Sequence, residues 1–325
     1  MKSDQASVLR DQLLVDDRKG PFISSALRWG TERLFEAGVE SSRLDAECLL
    51  AQAVGLSRLG LYTSRDEALP PVSWKAFQNL VERRARREPM AYILGEKEFW
   101  SLPLKVTPSV FIPRPETEVL VEAALERLRQ FPVSNSRFTE RAFCHQPSAI
   151  SHQPIVVEIG TGSGAISIAL ARELPEACFY ATEFSAKALQ VASENIEMYS
   201  LSSRILLLQG DLFAPLLPLG MEGKVAMVIS NPPYIPRAYL PLLPPEVFFE
   251  PKEALDGDED GLYFLRRIIA EAHRFLIPGG WVALEIGADQ GGAVTWLLED
   301  CKEYKGIEVV QDYAGKDRVV LARKR

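Results

Sequence analysis

The chain has 325 residues, 47% hydrophobic and 25% charged, a balance typical of a folded globular protein and a length that suits two domains better than one core. Its formal net charge of -7 and pI near 5.3 exclude binding to nucleic acid by bulk positive charge, while leaving room for a local basic face. No apolar run approaches the roughly 20 residues of a membrane span. The start, M-K-S-D-Q-A-S-V-L-R-D-Q, has no apolar signal core, so a cytoplasmic location is expected. Cys48, Cys144, Cys178 and Cys301 are scattered without C-x-x-C spacing and are expected to be reduced. Cys144, His145 and His152 lie close together in a polar segment and read as incidental, so no metal is expected.

Residues 1–20 are polar and of mixed charge, a frayed tail. From Ser24 a helical stripe of Leu27, Thr31, Leu34 and Phe35 runs to a stop at Gly38. A second helix, capped by Ser41 or Ser42, turns Leu44, Cys48, Leu49 and Val54 inward and ends at Gly55. A third, from about Ser73 to Arg87, carries Trp74, Phe77, Leu80 and Val81 on one face. Glu82, Arg83, Arg84, Arg86 and Arg87 lie on the others, read as a solvated face. Residues 1–90 thus predict a small all-α domain. The stretch 91–115, with apolar runs broken at Gly95 and Pro103, predicts a hairpin linker. It ends in Ile112-Pro113-Arg114-Pro115-Glu116-Thr117-Glu118, a stiff turn feeding a helix that starts near Glu116, with Pro115 suited to the first helical position. The flanking prolines fix the direction of Arg114, which suits a lid over a carboxylate or substrate.

After that helix, to about Leu128, residues 131–154 show no period and read as a loop insertion. From Ile155 strand and helix alternate, as in a mostly parallel α/β sheet. Strands are predicted at 155–159, 178–183, 204–209, 225–230 and 281–286. Helices are predicted at 165–173, 186–199, 262–276 and 290–299. The last strands, 307–312 and 318–322, are joined too tightly to be parallel. This order resembles class I S-adenosylmethionine-dependent methyltransferases, whose seven-stranded, mostly parallel, Rossmann-like sheet ends in such a hairpin. Residues 116–325 would form that catalytic domain.

Chemistry is expected where the strands end. Glu158-Ile159-Gly160-Thr161-Gly162-Ser163-Gly164 follows the first strand; its glycines let the backbone approach a ligand, and N–H groups at the next helix start favour polar or anionic groups. The G-x-G-x-G spacing preceded by Glu158 differs from the dinucleotide pattern G-x-G-x-x-G. Glu183, ending the second strand about 20 residues on, is placed to accept both hydroxyls of a ribose. Asp211, after the third strand, is placed to accept from an adenine amine, with Leu212 against the ring. These exits at one sheet edge suit a nucleoside. The fourth strand stops at Asn231-Pro232-Pro233-Tyr234, where the prolines bar helix and ladder alike. The Asn231 side-chain oxygen and the Pro232 carbonyl can each accept one N–H of a planar NH2 group, and Tyr234 can pack on its flat face.

N-P-P-Y also marks adenine and cytosine N-methyltransferases. Together with Phe111-Ile112-Pro113-Arg114-Pro115-Glu116-Thr117-Glu118, with Glu88-Pro89-x-Ala91-Tyr92-Ile93-Leu94-Gly95, and with Glu250-Pro251-x-x-Ala254-Leu255 leading to Asp260-Gly261-Leu262, it resembles the HemK/PrmC family from about Ser24 to Arg325. The resemblance implies transfer of a methyl group from S-adenosyl-L-methionine, leaving S-adenosyl-L-homocysteine, to the N5 amide of the glutamine in the Gly-Gly-Gln loop of class I peptide chain release factors. It implies Asn231, Pro232 and Tyr234 as catalytic residues and Asn231, Pro232, Pro233, Tyr234, Arg114 and Glu116 at the substrate. The cofactor would lie against Glu158, Gly160, Thr161, Gly162, Gly164, Glu183, Asp211, Leu212 and Asn231. A monomer is expected, with residues 1–90 recognising the release factor and neither a membrane nor nucleic acid as partner. Two departures stand out: Glu183 where the family usually has Asp, and a longer 131–154 segment. The alternatives are methylation of a ribosomal protein glutamine or of an adenine or cytosine amine, or a pseudoenzyme adaptor; an acidic chain with a small helical extra domain disfavours a nucleic-acid substrate.

Overall fold

The computed structural model describes residues 20–130 and 153–325. The expected N-terminal tail and nearly all of the expected 131–154 insertion lie outside the described residues. The chain divides into two compact units, Met1–Gly95 with Pro245–Phe249, and Glu96–Pro244 with Glu250–Arg325.

The first unit is helical: α1 (Ile23–Glu36), α2 (Ser42–Val54), α3 (Arg58–Thr63), α4 (Pro71–Ala85) and α5 (Met90–Leu94). Its core gathers Leu34, Leu49, Leu50, Phe77 and Val81. The face of α1 differs from the expected stripe: Ile23, Ala26, Gly30 and Leu34 are buried, and Phe35 is 74% exposed. Gly30 explains the shift. A Cβ there would sit 2.5 Å from the Phe77 ring, so α1 and α4 meet through a bare backbone, a contact invisible to a count of bulky side chains. On α2, Leu44 is exposed whereas Ala46, Leu49 and Leu50 are buried. The arginines at the end of α4 and just after it are not a simple solvated face. Arg84 pairs with Asp45 at 2.7 Å in a buried contact and with Glu246 at 3.0 Å, Arg87 pairs with Glu246 at 2.7 Å, and Arg33 grips Glu82 with two hydrogen bonds.

In the second unit the hairpin is shorter than expected, β1 (Glu96–Phe99) against β2 (Leu102–Lys105), because residues 91–94 belong to the helical turn α5 that Pro89 starts and Gly95 ends. Next come α6 (Thr117–Leu128), β3 (Ile155–Ile159), α7 (Ala165–Glu173), β4 (Cys178–Glu183), α8 (Ala186–Met198), β5 (Ile205–Gln209) and β6 (Val225–Ser230). They are followed by α9 (Tyr263–Phe275), β7 (Leu276–Glu285), α10 (Gly291–Cys301), β8 (Tyr304–Gln311) and β9 (Asp317–Lys324). The seven-stranded sheet runs β5-β4-β3-β6-β7-β9-β8, parallel from β5 to β7 and closed by the antiparallel pair β9 and β8. Buried residues of α6, α7 and α8 pack on one face, those of α9 and α10 on the other, so both sheet faces are covered as parallel strands require. β7 begins at Leu276 rather than near Trp281: Pro278-Gly279-Gly280, which reads as a stop, is absorbed by a register shift against β6.

Among the described residues no helix is long and apolar enough to cross a membrane. Cys48 and Cys301 carry free thiols, whereas Cys178 is disulfide-bonded, against the reduced state expected of all four cysteines.

Candidate active site at the carboxyl edge of the sheet

The parallel register brings the strand exits level. Ile159 lies opposite Thr182 and Ser230, Glu183 opposite Gln209, and Ser230 opposite Leu284. Gly160, Glu183, Asp211, Asn231 and Glu285 therefore line one edge. At the first exit, Gly160 and Gly162 have φ of +73° and +56°, and a Cβ on either would meet nothing within 4 Å, so bare backbone borders open space there. Glu158 is spent inside the turn. Its Oε2 accepts from Thr161 Oγ1 at 2.8 Å, from the Ser167 N–H at 3.1 Å and from the Ser167 hydroxyl, tying the strand end to the start of α7. Burial pushes its carboxyl up to about 7. Glu183 accepts the Gly162 and Ser185 N–H groups, one on each oxygen at 2.9 Å, and a carboxylate has lone pairs left for two further donors. Asp211 is exposed and held in a forked pair by Arg267, while Leu212, at φ +45°, lies partly buried beside it.

At the fourth exit Asn231 Nδ2 donates to Thr117 Oγ1 at 3.2 Å. That commits the amide nitrogen and turns Oδ1 the other way; among the described residues neither Oδ1 nor the Pro232 carbonyl takes up a hydrogen bond. Beyond the prolines the chain is pinned again: Ile235 N–H donates to the Leu255 carbonyl and Gly257 N–H to that of Ile235. Gln290 Nε2 donates to the Tyr234 carbonyl at 3.0 Å. The Tyr234 hydroxyl donates to Glu285 Oε1 at 3.2 Å. Glu285 is 1% exposed, and its Oε2 completes no hydrogen bond. Burial raises this carboxyl to about 7, against the pull of Thr117, Arg318 and Tyr234, which favour the ionised form.

The same layout appears in known proteins. Residues 25–95 match the PrmC N-terminal domain model, and residues 145–239 match the methyltransferase small domain model. The release factor glutamine methyltransferase of Moorella thermoacetica is 44% identical over 303 residues, covering 93% of this chain and 99% of the relative. The chain belongs to the release factor glutamine methyltransferase family. The family member of that name in Vibrio cholerae is 40% identical over 302 residues, covering 93% and 96%. The hMettl16 catalytic domain, solved in complex with an RNA hairpin, shares the fold at 15% identity and a TM-score of 0.53, covering 75% of this chain and 81% of that one.

In this release factor glutamine methyltransferase family member, the two remaining residues expected at the substrate, Arg114 and Glu116, stand just before α6. Arg114 donates to Glu250 and stacks on Phe111, 4.7 Å from the ring centroid; Glu250 also accepts the Ile112 N–H at 3.1 Å. The carboxylate under Arg114 is thus the chain's own, from the Glu250-Pro251 motif. Glu116 is exposed. Sequence reasoning missed Thr117, Glu285, Gln290 and Asn195. Asn195 is fully buried: its Oδ1 accepts the Lys105 N–H at 2.7 Å, and its Nδ2 donates to the Lys105 and Ser163 carbonyls at 3.0 and 2.8 Å. One side chain therefore fastens the end of the hairpin to the glycine turn.

Proposed function

We propose that this chain transfers the methyl group of S-adenosyl-L-methionine to the side-chain N5 amide of the glutamine in the Gly-Gly-Gln motif of class I peptide chain release factors. The observation that carries the reading is the Asn231 amide, whose nitrogen is committed to Thr117, while its oxygen and the Pro232 carbonyl that follows it take up no hydrogen bond among the described residues. Two fixed acceptors suit the two N–H donors of a primary amide. Family membership favours glutamine over a nucleobase amine.

The residues present fit the cofactor. Open space at Gly160 and Gly162 admits a ligand close to the backbone, Glu183 keeps lone pairs for ribose hydroxyls, and Asp211, fixed by Arg267, keeps lone pairs for an exocyclic amine. Thr161, Gly164 and Leu212 complete this wall, with Glu158 holding its shape from within. When bound, the cofactor supplies an electrophilic methyl group on a sulfonium. Asn231 Oδ1 and the Pro232 carbonyl accept the two amide N–H groups and fix the nitrogen, a poor nucleophile because its lone pair is delocalised, so positioning supplies much of the rate. The same acceptors stabilise positive charge developing on that nitrogen. Tyr234, its hydroxyl taken by Glu285, offers its ring to the glutamine side chain, with Pro233 alongside. No strong base is needed, since an N-methylated, N-protonated amide is very acidic. The N-terminal helical unit recognises the release factor, and the reaction takes place in the cytoplasm, where that substrate works.

The test is transfer of labelled methyl to a purified release factor and to its Gln→Ala variant in the Gly-Gly-Gln motif. Label on the first alone supports the reading. Label on DNA, RNA or a ribosomal protein instead would assign the site another substrate.

A further inference from the structure

Three turns at the carboxyl edge of the sheet meet on one side chain, Gln290. It stands just before α10 and is 7% exposed. Its Nε2 donates to the Tyr234 carbonyl at 3.0 Å and to the Gly261 carbonyl at 3.3 Å, and its Oε1 accepts the Gly287 N–H at 2.8 Å. Both N–H groups of the amide are thereby in use, and they join the N-P-P-Y turn after β6 to the Asp260-Gly261-Leu262 turn before α9. Bare backbone makes the approach possible. At Gly261, whose φ is +75°, a Cβ would stand 2.3 Å from the Tyr234 carbonyl oxygen and 2.7 Å from Gln290 Nε2. At Gly257 it would stand 2.9 Å from the Tyr234 Cα. A side chain at either position would drive Tyr234 off its seat.

Pro232 and Pro233 have fixed φ and no N–H, so the stretch from Asn231 to Tyr234 is stiff and cannot pin itself through its prolines. A stiff segment takes its position from its two ends. Asn231, at the β6 end, is tied to Thr117. Tyr234, at the other end, is held at its carbonyl by Gln290 and at its hydroxyl by Glu285. The Pro232 carbonyl lies between, so a shift of the Tyr234 main chain carries that carbonyl with it.

We infer that Gln290 is a positioning residue for methyl transfer: by holding the Tyr234 carbonyl it fixes the far end of the N-P-P-Y turn, and with it the Pro232 carbonyl and the Tyr234 ring that meet the substrate amide. This rests on the proposed reading of that turn as the seat of the glutamine amide. Gln290 acts through Tyr234 and not on the reacting atoms.

The experiment compares wild type with Gln290→Met, which keeps the length of the side chain and removes all three hydrogen bonds, and Gln290→Asn, whose amide falls one methylene short of both carbonyls. Tyr304→Phe is the control for lost stability alone. It removes a buried hydrogen bond to the Ile269 carbonyl, and Tyr304 lies opposite Lys324 at the other edge of the sheet. For each protein, methyl transfer to a whole release factor and to a short Gly-Gly-Gln peptide, cofactor affinity by calorimetry and the melting temperature are measured, with kinetics well below the lowest melting temperature. Gln290→Met and Gln290→Asn are expected to lower kcat by about tenfold to a hundredfold, the cost of a misplaced reacting group, and by the same factor on both substrates. Cofactor Kd and KM for release factor stay within about threefold of wild type. Tyr304→Phe lowers the melting temperature and keeps kcat. A kcat within twofold of wild type in Gln290→Met, a loss that falls on Kd or KM instead, or an equal loss of kcat in Tyr304→Phe would each overturn the inference. Should Gln290→Met fail to fold, Gln290→Asn decides alone by the same criteria. Wild-type protein that transfers nothing to release factor or peptide overturns the functional reading instead, and the inference with it.

Discussion

Asn231 Nδ2 donates to Thr117 Oγ1 across 114 residues of sequence, so the first residue of α6 dictates the orientation of the amide at the end of β6. The consequence is direct: the nitrogen is used internally, and the oxygen completes no hydrogen bond among the described residues.

Asn231→Ala removes that oxygen without touching the glycine turn or Glu183. Methyl transfer is expected to fall by about 10²–10³, the usual loss for one preorganised polar partner of a transition state, with cofactor affinity within a few fold. Calorimetry alongside a transfer assay checks this; loss of cofactor binding in step with activity would remove Asn231 from its assigned role.

The buried carboxyls set a pH dependence of stability. Glu158 and Glu285 are raised from 4.5 to about 7, so between those values the folded state holds protons that the unfolded state has released. Stability therefore falls as pH rises from about 4.5 to 7 and levels off above. A raised carboxyl of this kind costs at most about 3 kcal/mol at pH 8. In Glu285→Gln that penalty is absent, so the variant's melting temperature, relative to wild type, rises between pH 5 and pH 8. A difference independent of pH would show that Glu285 does not titrate there.

Asn195 saturates three hydrogen bonds in a buried site. Asn195→Ala leaves the Lys105 N–H and the Lys105 and Ser163 carbonyls without these partners, and a loss of about 2–4 kcal/mol is expected. Because Ser163 belongs to the glycine turn, cofactor affinity weakens as well. Chemical denaturation and calorimetry measure the two effects; lost stability with unchanged affinity would separate the hairpin from the turn.

Leu59 and Val72 of the helical unit are 75% and 81% exposed, so each can be replaced without opening the core, and each tests whether this unit recognises the release factor. Leu59→Glu and Val72→Glu are expected to raise KM for a whole release factor several fold while leaving KM for a short Gly-Gly-Gln peptide unchanged. Equal effects on both substrates would argue against recognition through these residues.

The frame of the site was legible because it rests on local signals. Apolar runs stopped by glycine or proline mark β3 and β6, and Glu183 and Asn231 end their strands as read. Thr117 was not legible, since a threonine opening a helix has an ordinary capping role and its partner lies 114 residues away. Glu285 had a usable signal: it ends a strand level with Asn231, as Ser230 opposite Leu284 requires, so the same edge argument reaches it. The partner of Arg114 was not legible because prolines fix a direction without naming the partner, here Glu250. The phase of α1 was misread because Gly30 contributes contact through the absence of a side chain.

The central claim is that the Asn231 end of β6 presents a glutamine amide for methylation. The most direct measurement is tandem mass spectrometry of a release factor treated with S-adenosyl-L-methionine and either wild-type protein or Asn231→Ala. The account predicts one added methyl group, on the glutamine of the Gly-Gly-Gln motif, with wild type and none with the variant. A methyl group on any other residue, or equal modification by Asn231→Ala, would contradict it.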